Sequence, residues 1–356
     1  MSAKAGRSLL FVGNFLALET GTRAVSEDLS LQLEARGWRV FRTSEKSHKV
    51  FRLIDMLKMT WSKRKLYDTA VIDVYSGPAF FFAEAVCWLL RRLNKPYVLT
   101  LHGGNLPLFG ARCPERLIRL LGSARTVTTP SRYLQEQMGL YRENLRLIPN
   151  PVSLANYSNT LRMQAQPKLV WLRAFHQVYN PLLAVSAVAL LRKDFPDISL
   201  TMIGPDKRDG TLASVEAEID RLHLRANVRL IGAIPKSQVP AYLSESDIFL
   251  NTTDVDNTPV SVLEGMACGL CIVSTNVGGM PYLIDNERDG LLVAPRDPAA
   301  FTEAIRRILT DPALAQRLSR SARRKVESFD WSRVLPEWED LLTRPNSKIQ
   351  SELVEA

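Results

Sequence analysis

Two carboxylates separated by seven residues mark the stretch of this chain best suited to chemistry: Asp256 and Glu264, within DVDNTPVSVLEGMACGLCIVSTNVGGMPYLI. A loop ends between them and an apolar helix begins near Pro259, a residue suited to a first helical turn. Asp256 is therefore predicted before the helix and Glu264 inside it. The N-terminus of that helix, at Pro259, Val260 and Ser261, offers backbone N–H groups to a phosphate. An acidic residue one or two turns further in can accept hydrogen bonds from ribose hydroxyls. Gly278 and Gly279 follow a predicted strand and lack side chains, so backbone there can approach a ligand closely. The chemistry implied is nucleotide binding.

Further candidates sit at the ends of other predicted strands. Arg173 follows the run Leu169–Leu172. His102 ends the strand Tyr97–Leu101 and precedes Gly103 and Gly104, a strand-end setting that favours a site role over a packed core histidine. Gly21 and Thr22 open the first long helix, either as a plain helix start or, by resemblance to a Gly-rich loop from which one Gly is missing, as a turn that touches phosphate or acceptor. Asp254-Val255-Asp256 has the spacing of a divalent-metal pair, but no further oxygen ligands can be placed, and no metal is expected. Cys268 and Cys271 have CxxC spacing without a second pair, and together with Cys87 and Cys113 they read as buried free thiols. Glycine-rich dinucleotide and Walker-type loops are absent, which argues against nicotinamide cofactors and ATP hydrolysis.

These residues need a scaffold that brings strand ends together. Short apolar runs alternate with amphipathic helical patterns from Ser8 to Ile148, pause over 149–167, and resume from Leu169 to Val293. Such alternation predicts parallel sheets covered by helices. The pause is polar, with three prolines, and reads as a linker. Two Rossmann-like domains facing across a cleft are expected, with ligands at the carboxyl ends of the strands. The expected boundaries are 1–157 for the first domain, 158–330 for the second, a C-terminal helix over 331–345 returning to the first domain, and a polar tail over 346–356.

Composition narrows the class. The chain has 356 residues, 46% hydrophobic and 23% charged, which excludes a disordered chain, a collagen-like fibre and a disulfide scaffold. Net charge is +9, and its distribution is uneven. Residues 1–150 hold 23 Lys and Arg against 12 Asp and Glu, whereas 151–356 hold 23 against 25. The excess points to nucleic acid, an anionic membrane surface or an anionic substrate. Within the basic part, KVFRLIDMLKMTWSKRK (Lys49–Lys65) reads as a basic amphipathic helix. It is open to two readings, a membrane-surface element or a helix with a solvated basic face. No secretory signal is visible at the start. The longest apolar stretch, Ala79–Leu90, contains Glu84 and falls short of a spanning helix. The expected location is the cytoplasm, including the inner face of the membrane.

The stretch from Asp254 to Ile284 resembles the signature of the retaining glycosyltransferases of family four, the group 1 glycosyl transferases. Its hallmark is an acidic residue, seven residues, a Glu, a Met-Ala-Cys-Gly helix end, a strand and a Gly-Gly loop. The resemblance extends over nearly the whole chain: Asn286–Pro298 after the loop, Phe329-Asp330-Trp331 at the start of the last helix, Ile148-Pro149-Asn150-Pro151-Val152 at the junction, and Leu101-His102-Gly103. It is weaker from Phe15 to Leu66. It implies a GT-B fold. It also implies a ribose-binding role for Glu264, sugar contact for Asp256, diphosphate contact for Arg173, and a place beside the sugar for His102. Family members mostly have Glu where this chain has Asp256, and often Glu at Tyr282. The family's second diphosphate cation, a Lys five residues beyond the Arg, falls on Val178, with His176 and Lys207 as possible substitutes.

The function expected is retaining transfer of a sugar from a nucleotide-sugar to a saccharide or lipid-linked acceptor in envelope polysaccharide or glycoconjugate synthesis. No cofactor is expected beyond the donor itself. The basic first domain would guide an anionic acceptor or rest on an anionic membrane. The main alternative is a catalytically weak or inactive glycosyltransferase-like protein that holds a nucleotide-sugar. A GT-B sugar epimerase fits the whole-chain resemblance less well, and a nucleic-acid-binding protein lacks any recognised motif.

Overall fold

The computed structural model describes residues 7–16 and 24–344. Two compact units emerge, one running to Asn150 and resuming at Ser332, the other spanning Pro151–Trp331. Each is a six-stranded parallel sheet with helices connecting its strands.

The first unit contains β1 (Ser8–Val12), β2 (Arg39–Thr43), β3 (Thr69–Val74), β4 (Tyr97–Leu101), β5 (Thr126–Thr129) and β6 (Arg146–Leu147), in the order β2-β1-β3-β4-β5-β6. Between them run α1 (Val25–Ala35), α2 (Lys49–Ser62), α3 (Phe80–Arg92), α4 (Leu106–Arg112), α5 (Pro114–Gly122) and α6 (Arg132–Gly139). Every residue of β3 and β4 is buried. A parallel strand covered on both faces reads as a continuous apolar run, which is why these strands are visible in the sequence.

The second unit contains β7 (Lys168–Leu172), β8 (Ser199–Ile203), β9 (Val228–Gly232), β10 (Ile248–Asn251), β11 (Cys271–Thr275) and β12 (Leu291–Val293), in the order β12-β11-β10-β7-β8-β9. Its helices are α7 (Pro181–Leu191), α8 (Thr211–Arg221), α9 (Val239–Ser244), α10 (Val260–Ala267), α11 (Met280–Leu283), α12 (Pro298–Thr310) and α13 (Pro312–Val326). Asp297 and Asp311 cap α12 and α13 by accepting from Ala300 N and Leu314 N at 2.9 and 3.0 Å, and a proline follows each cap. These caps satisfy N–H groups that a helix start leaves without partners.

The boundary falls at 150/151 rather than at 157/158, because residues 151–167 are not a loose linker. Val152 pairs with the segment before the last helix, donating to Phe329 O at 2.9 Å. The buried Arg162 donates to Asp247 Oδ1 at 3.0 Å, Cys268 O at 2.7 Å and Ser246 O at 2.6 Å. Proline and polar content hid this strap, in which the three partners of Arg162 just named lie 84 to 106 residues away in sequence.

The last helix, α14 (Trp331–Thr343), places Val334, Leu335, Trp338, Leu341 and Leu342 on one buried face. From Ser332 onward it belongs to the first unit. Leu341 O accepts from Arg125 at 2.7 Å, and Glu339 accepts from the Trp38 indole at 3.5 Å. Truncating Trp338 to Ala is expected to lower the first unit's unfolding free energy by about 3–5 kcal/mol. Denaturant titration of the full chain checks this.

Candidate functional site

In the second sheet the strand order reverses between β7 and β10. Open parallel sheets bind ligands beyond the carboxyl ends of the strands at such a switch point. Arg173 directly follows β7, and Asp256 lies on the loop after β10, so register pairing of Leu250 with Trp171 brings the two loops side by side. The Arg173 guanidinium contacts the Asp256 carboxylate and lies over the Tyr179 ring, 4.6 Å from its centroid. Burial pulls this guanidinium below its usual pKa, opposed by Tyr179 and the Glu264 carboxylate. A cation this desolvated attracts an anionic ligand more strongly than one in water.

The glycine pair packs against the Asp256 loop. A Cβ on Gly278 would lie 2.1 Å from Asp256 O, and one on Gly279 would lie 1.9 Å from Asn257 O. Gly279 N donates to Asp256 O at 3.1 Å. These glycines make room for the backbone of the Asp256 loop, and so fix where the carboxylate points. Asp256 Oδ1 in turn accepts from Asn257 N at 2.9 Å.

Pro259 stands just before α10 in extended backbone, so the helix starts at Val260. Ser261, in its first turn, is buried, and its hydroxyl has no hydrogen-bond partner. Glu264 lies one turn further, also buried. Its Oε1 accepts from Tyr157 OH at 2.7 Å and from Lys236 Nζ.

Lys236 is the cation that sequence reasoning missed. It sits on the turn after β9, on a side chain 41% exposed, with its ammonium at the Glu264 carboxylate. Val178 supplies only backbone, accepting from Asp254 N at 2.8 Å. His176 is occupied elsewhere, its Nδ1 accepting from Val178 N at 3.1 Å and its Nε2 lying 3.7 Å from Asp209. Lys207 is exposed. The usable signal for Lys236 is its place, a lysine just past the carboxyl end of a parallel strand.

Asp254 and Asp256 do not act as a pair. Asp254 Oδ2 accepts from Arg296 Nε and Nη2 at 3.0 and 2.8 Å, while Asp256 faces Arg173. Among the described residues no group of three or more His, Cys, Asp or Glu could hold a metal ion.

In the first unit the strand order reverses between β1 and β3. Asp73, near the end of β3, is buried there and hydrogen-bonds two side chains. Its Oδ1 is 2.9 Å from His102 Nε2, and its Oδ2 accepts from Ser26 Oγ at 2.6 Å. The His102 ring also stacks on Tyr75, 5.4 Å between centroids. A Cβ on Gly13 would meet Asp73 Oδ2 at 2.2 Å, so glycine at that position admits the carboxylate. An aspartate on Nε2 fixes the imidazole's orientation and leaves Nδ1 for another partner. His102 is legible in the sequence and Asp73 is not, because TAVIDV reads as a buried apolar strand. Gly21 and Thr22 lie outside the described residues.

Comparison with known proteins settles the family. The model for Glycosyl transferases group 1 matches residues 158–325, and that for Glycosyltransferase Family 4 matches 21–156. The chain belongs to the group 1, family 4 glycosyltransferases. This glycosyltransferase is 34% identical over 154 residues to a glycogen synthase of Mycobacterium tuberculosis (strain CDC 1551 / Oshkosh), a match covering 42% of the chain and 36% of that protein. It is 24% identical over 276 residues to a D-inositol 3-phosphate glycosyltransferase of Jonesia denitrificans, covering 68% of the chain and 65% of that protein. The matches thus span between about a third and two thirds of these relatives. Among solved structures, sucrose-phosphate synthase from Thermosynechococcus elongatus superposes with TM-score 0.76 at 19% identity, covering 94% of this chain and 98% of that one. Anabaena HepE in complex with UDP-glucose gives TM-score 0.72 at 14% identity, covering 98% and 100%. These likenesses establish the GT-B fold of the glycosyltransferase.

Two outcomes are expected. Gly279→Ala must push the Asp256 loop aside, at a cost of about 1–3 kcal/mol in stability; thermal unfolding measures it. Burial pushes the Cys87 and Cys271 thiols up to about 12 and Cys268 to about 11, so near pH 8 they stay protonated and unreactive. A chromogenic disulfide reagent should therefore modify the half-buried Cys113 in the native glycosyltransferase and all four thiols after unfolding.

Proposed function

We propose that this chain is a retaining hexosyltransferase that moves a sugar from a nucleotide-sugar to a saccharide or lipid-linked saccharide, in envelope polysaccharide or glycoconjugate synthesis. The reaction is assigned to the cytoplasm. The observation that carries the reading is the convergence of Arg173, Asp256, Glu264 and Lys236 on the strand ends of the second unit. In this reading the donor occupies the second unit. Glu264, held by Tyr157 and Lys236, exchanges those partners in part for ribose hydroxyls. Arg173 gives up some of its contact with Asp256 to take the diphosphate, together with the N-terminus of α10, where the Ser261 hydroxyl awaits a partner.

Departure of the nucleoside diphosphate leaves negative charge on its oxygens. A fixed, desolvated guanidinium and aligned backbone N–H groups stabilise that charge without reorganising. Lys236 supplies a second positive charge, in place of the Lys that is absent at residue 178. Asp256, freed from Arg173, faces the sugar. The acceptor is assigned to the first unit, where His102 is oriented by Asp73. The resemblance implies attack from the face that the leaving group vacates, and no enzymic nucleophile is named.

UDP-glucose is the first donor to try, since HepE, of the same fold, is solved with it. A donor that binds only the native state should raise the melting temperature. Product NMR then reads the anomeric configuration, and an inverted centre overturns retention. Arg173→Ala is expected to lower kcat by about 10²–10³-fold. Glu264→Ala should weaken donor binding and reduce turnover. Wild-type turnover no greater than that of Glu264→Ala would instead favour a binding protein.

A further inference from the structure

The helices α2 and α3 carry apolar residues on the side turned away from their sheet. The crossovers β2–β3 and β3–β4 run in the same direction along the sheet, and such crossovers are right-handed, so both helices lie on one face. They pack against each other there. On α2 the buried positions are Met56 and Thr60, and the Thr60 hydroxyl is satisfied by Met56 O at 2.7 Å. Phe51, Ile54 and Trp61, each more than half exposed, fall at helical spacings on the outer face, with Lys58 between the last two. On α3, Phe81 and Trp88 are likewise more than half exposed, seven residues apart on one face. A helix whose only task is to cover a sheet places polar residues outward; these two place large apolar residues there as well.

The charge around this face has one sign. Residues 49–66 and 80–95 hold nine Lys and Arg against Asp55 and Glu84. Glu84 is taken up by Arg116, whose Nε donates at 3.0 Å, and Asp55 accepts from Thr43 Oγ1 at 3.0 Å. Arg64 lies over the Trp61 ring at 4.4 Å and Arg92 over Trp88 at 5.3 Å.

We propose that the outer faces of α2 and α3 dock this protein on an anionic phospholipid bilayer. Trp and Phe would enter the headgroup–acyl boundary, while the Lys and Arg beside them meet lipid phosphates. The position of Lys58 favours lipid over a protein partner. Lysine is depleted from the buried centre of protein interfaces. At a bilayer its long stem can lie along apolar surface while the ammonium reaches the headgroups. The proposal deepens the reading of a lipid-linked acceptor and rests on it only for its purpose.

The test uses the full chain without donor or acceptor. Sedimentation is compared between vesicles of phosphatidylcholine alone and vesicles also containing phosphatidylglycerol. Wild type is expected to sediment with the anionic vesicles, and less so at high salt. The variant Phe51→Ser/Ile54→Ser/Trp61→Ser should bind about tenfold or more weakly, since membrane binding scales with buried apolar area, with an unchanged melting temperature. Trp88→Ser, a milder change on the second helix, gives the same direction should the triple variant fail to fold. Wild type that stays in solution with anionic vesicles overturns the proposal, as do folded variants that bind like wild type. So does a concentration-dependent dimer that the variants dissolve without any vesicle binding. Vesicle binding with no sugar transfer to any lipid-linked saccharide removes the acceptor reading alone.

Discussion

The second unit is organised around a positive charge removed from water. Arg173 has an aromatic ring beneath it, a carboxylate against it and little solvent, and burial weakens its hold on its proton. Such a cation is costly unless paired. Asp256 is the partner, and the loop bearing it can reach that place only because Gly278 and Gly279 lack side chains. The buried Glu264 poses the opposite problem and is answered by a phenol and an ammonium. Each charge is thus balanced by a side chain from another loop, and the strand ends of β7, β9 and β10 are tied together through them.

The two units use one device. At the switch point of the first sheet, Gly13 leaves space for the Asp73 carboxylate. In the second, Gly204 leaves space for the carbonyl of Arg173, where a Cβ would come within 1.7 Å. In both units a residue without a side chain lets a strand-end segment that carries a charged group pack closer than any other residue would allow. The signs differ, with an aspartate at one switch point and an arginine at the other.

What could be read from the sequence follows from range. Strands buried on both faces announce themselves through local apolar runs, so β4 was legible residue by residue. The Asp256–Glu264 spacing was legible because a loop and the following helix turn lie within one short segment. Lys236 and Tyr157 were not, since they meet Glu264 from 28 and 107 residues away. Tyr157 was further hidden in a proline-bearing stretch that looked like a linker. The glycine pair was legible as a place of close approach, and the Asp256 loop backbone lies against it. Asp73 was obscured because a single carboxylate in TAVIDV hardly disturbs an apolar strand.

The return of α14 to the first unit has a consequence for the order in which the protein is completed. Among the described residues the second unit is one continuous segment, and the first is interrupted by all of it. Val334, Leu335 and Trp338, which the first unit buries, are synthesised after the whole of residues 151–331. Domains emerging from the ribosome fold as units. Here the half that begins first must wait with part of its core open, and the half that begins second can finish before it.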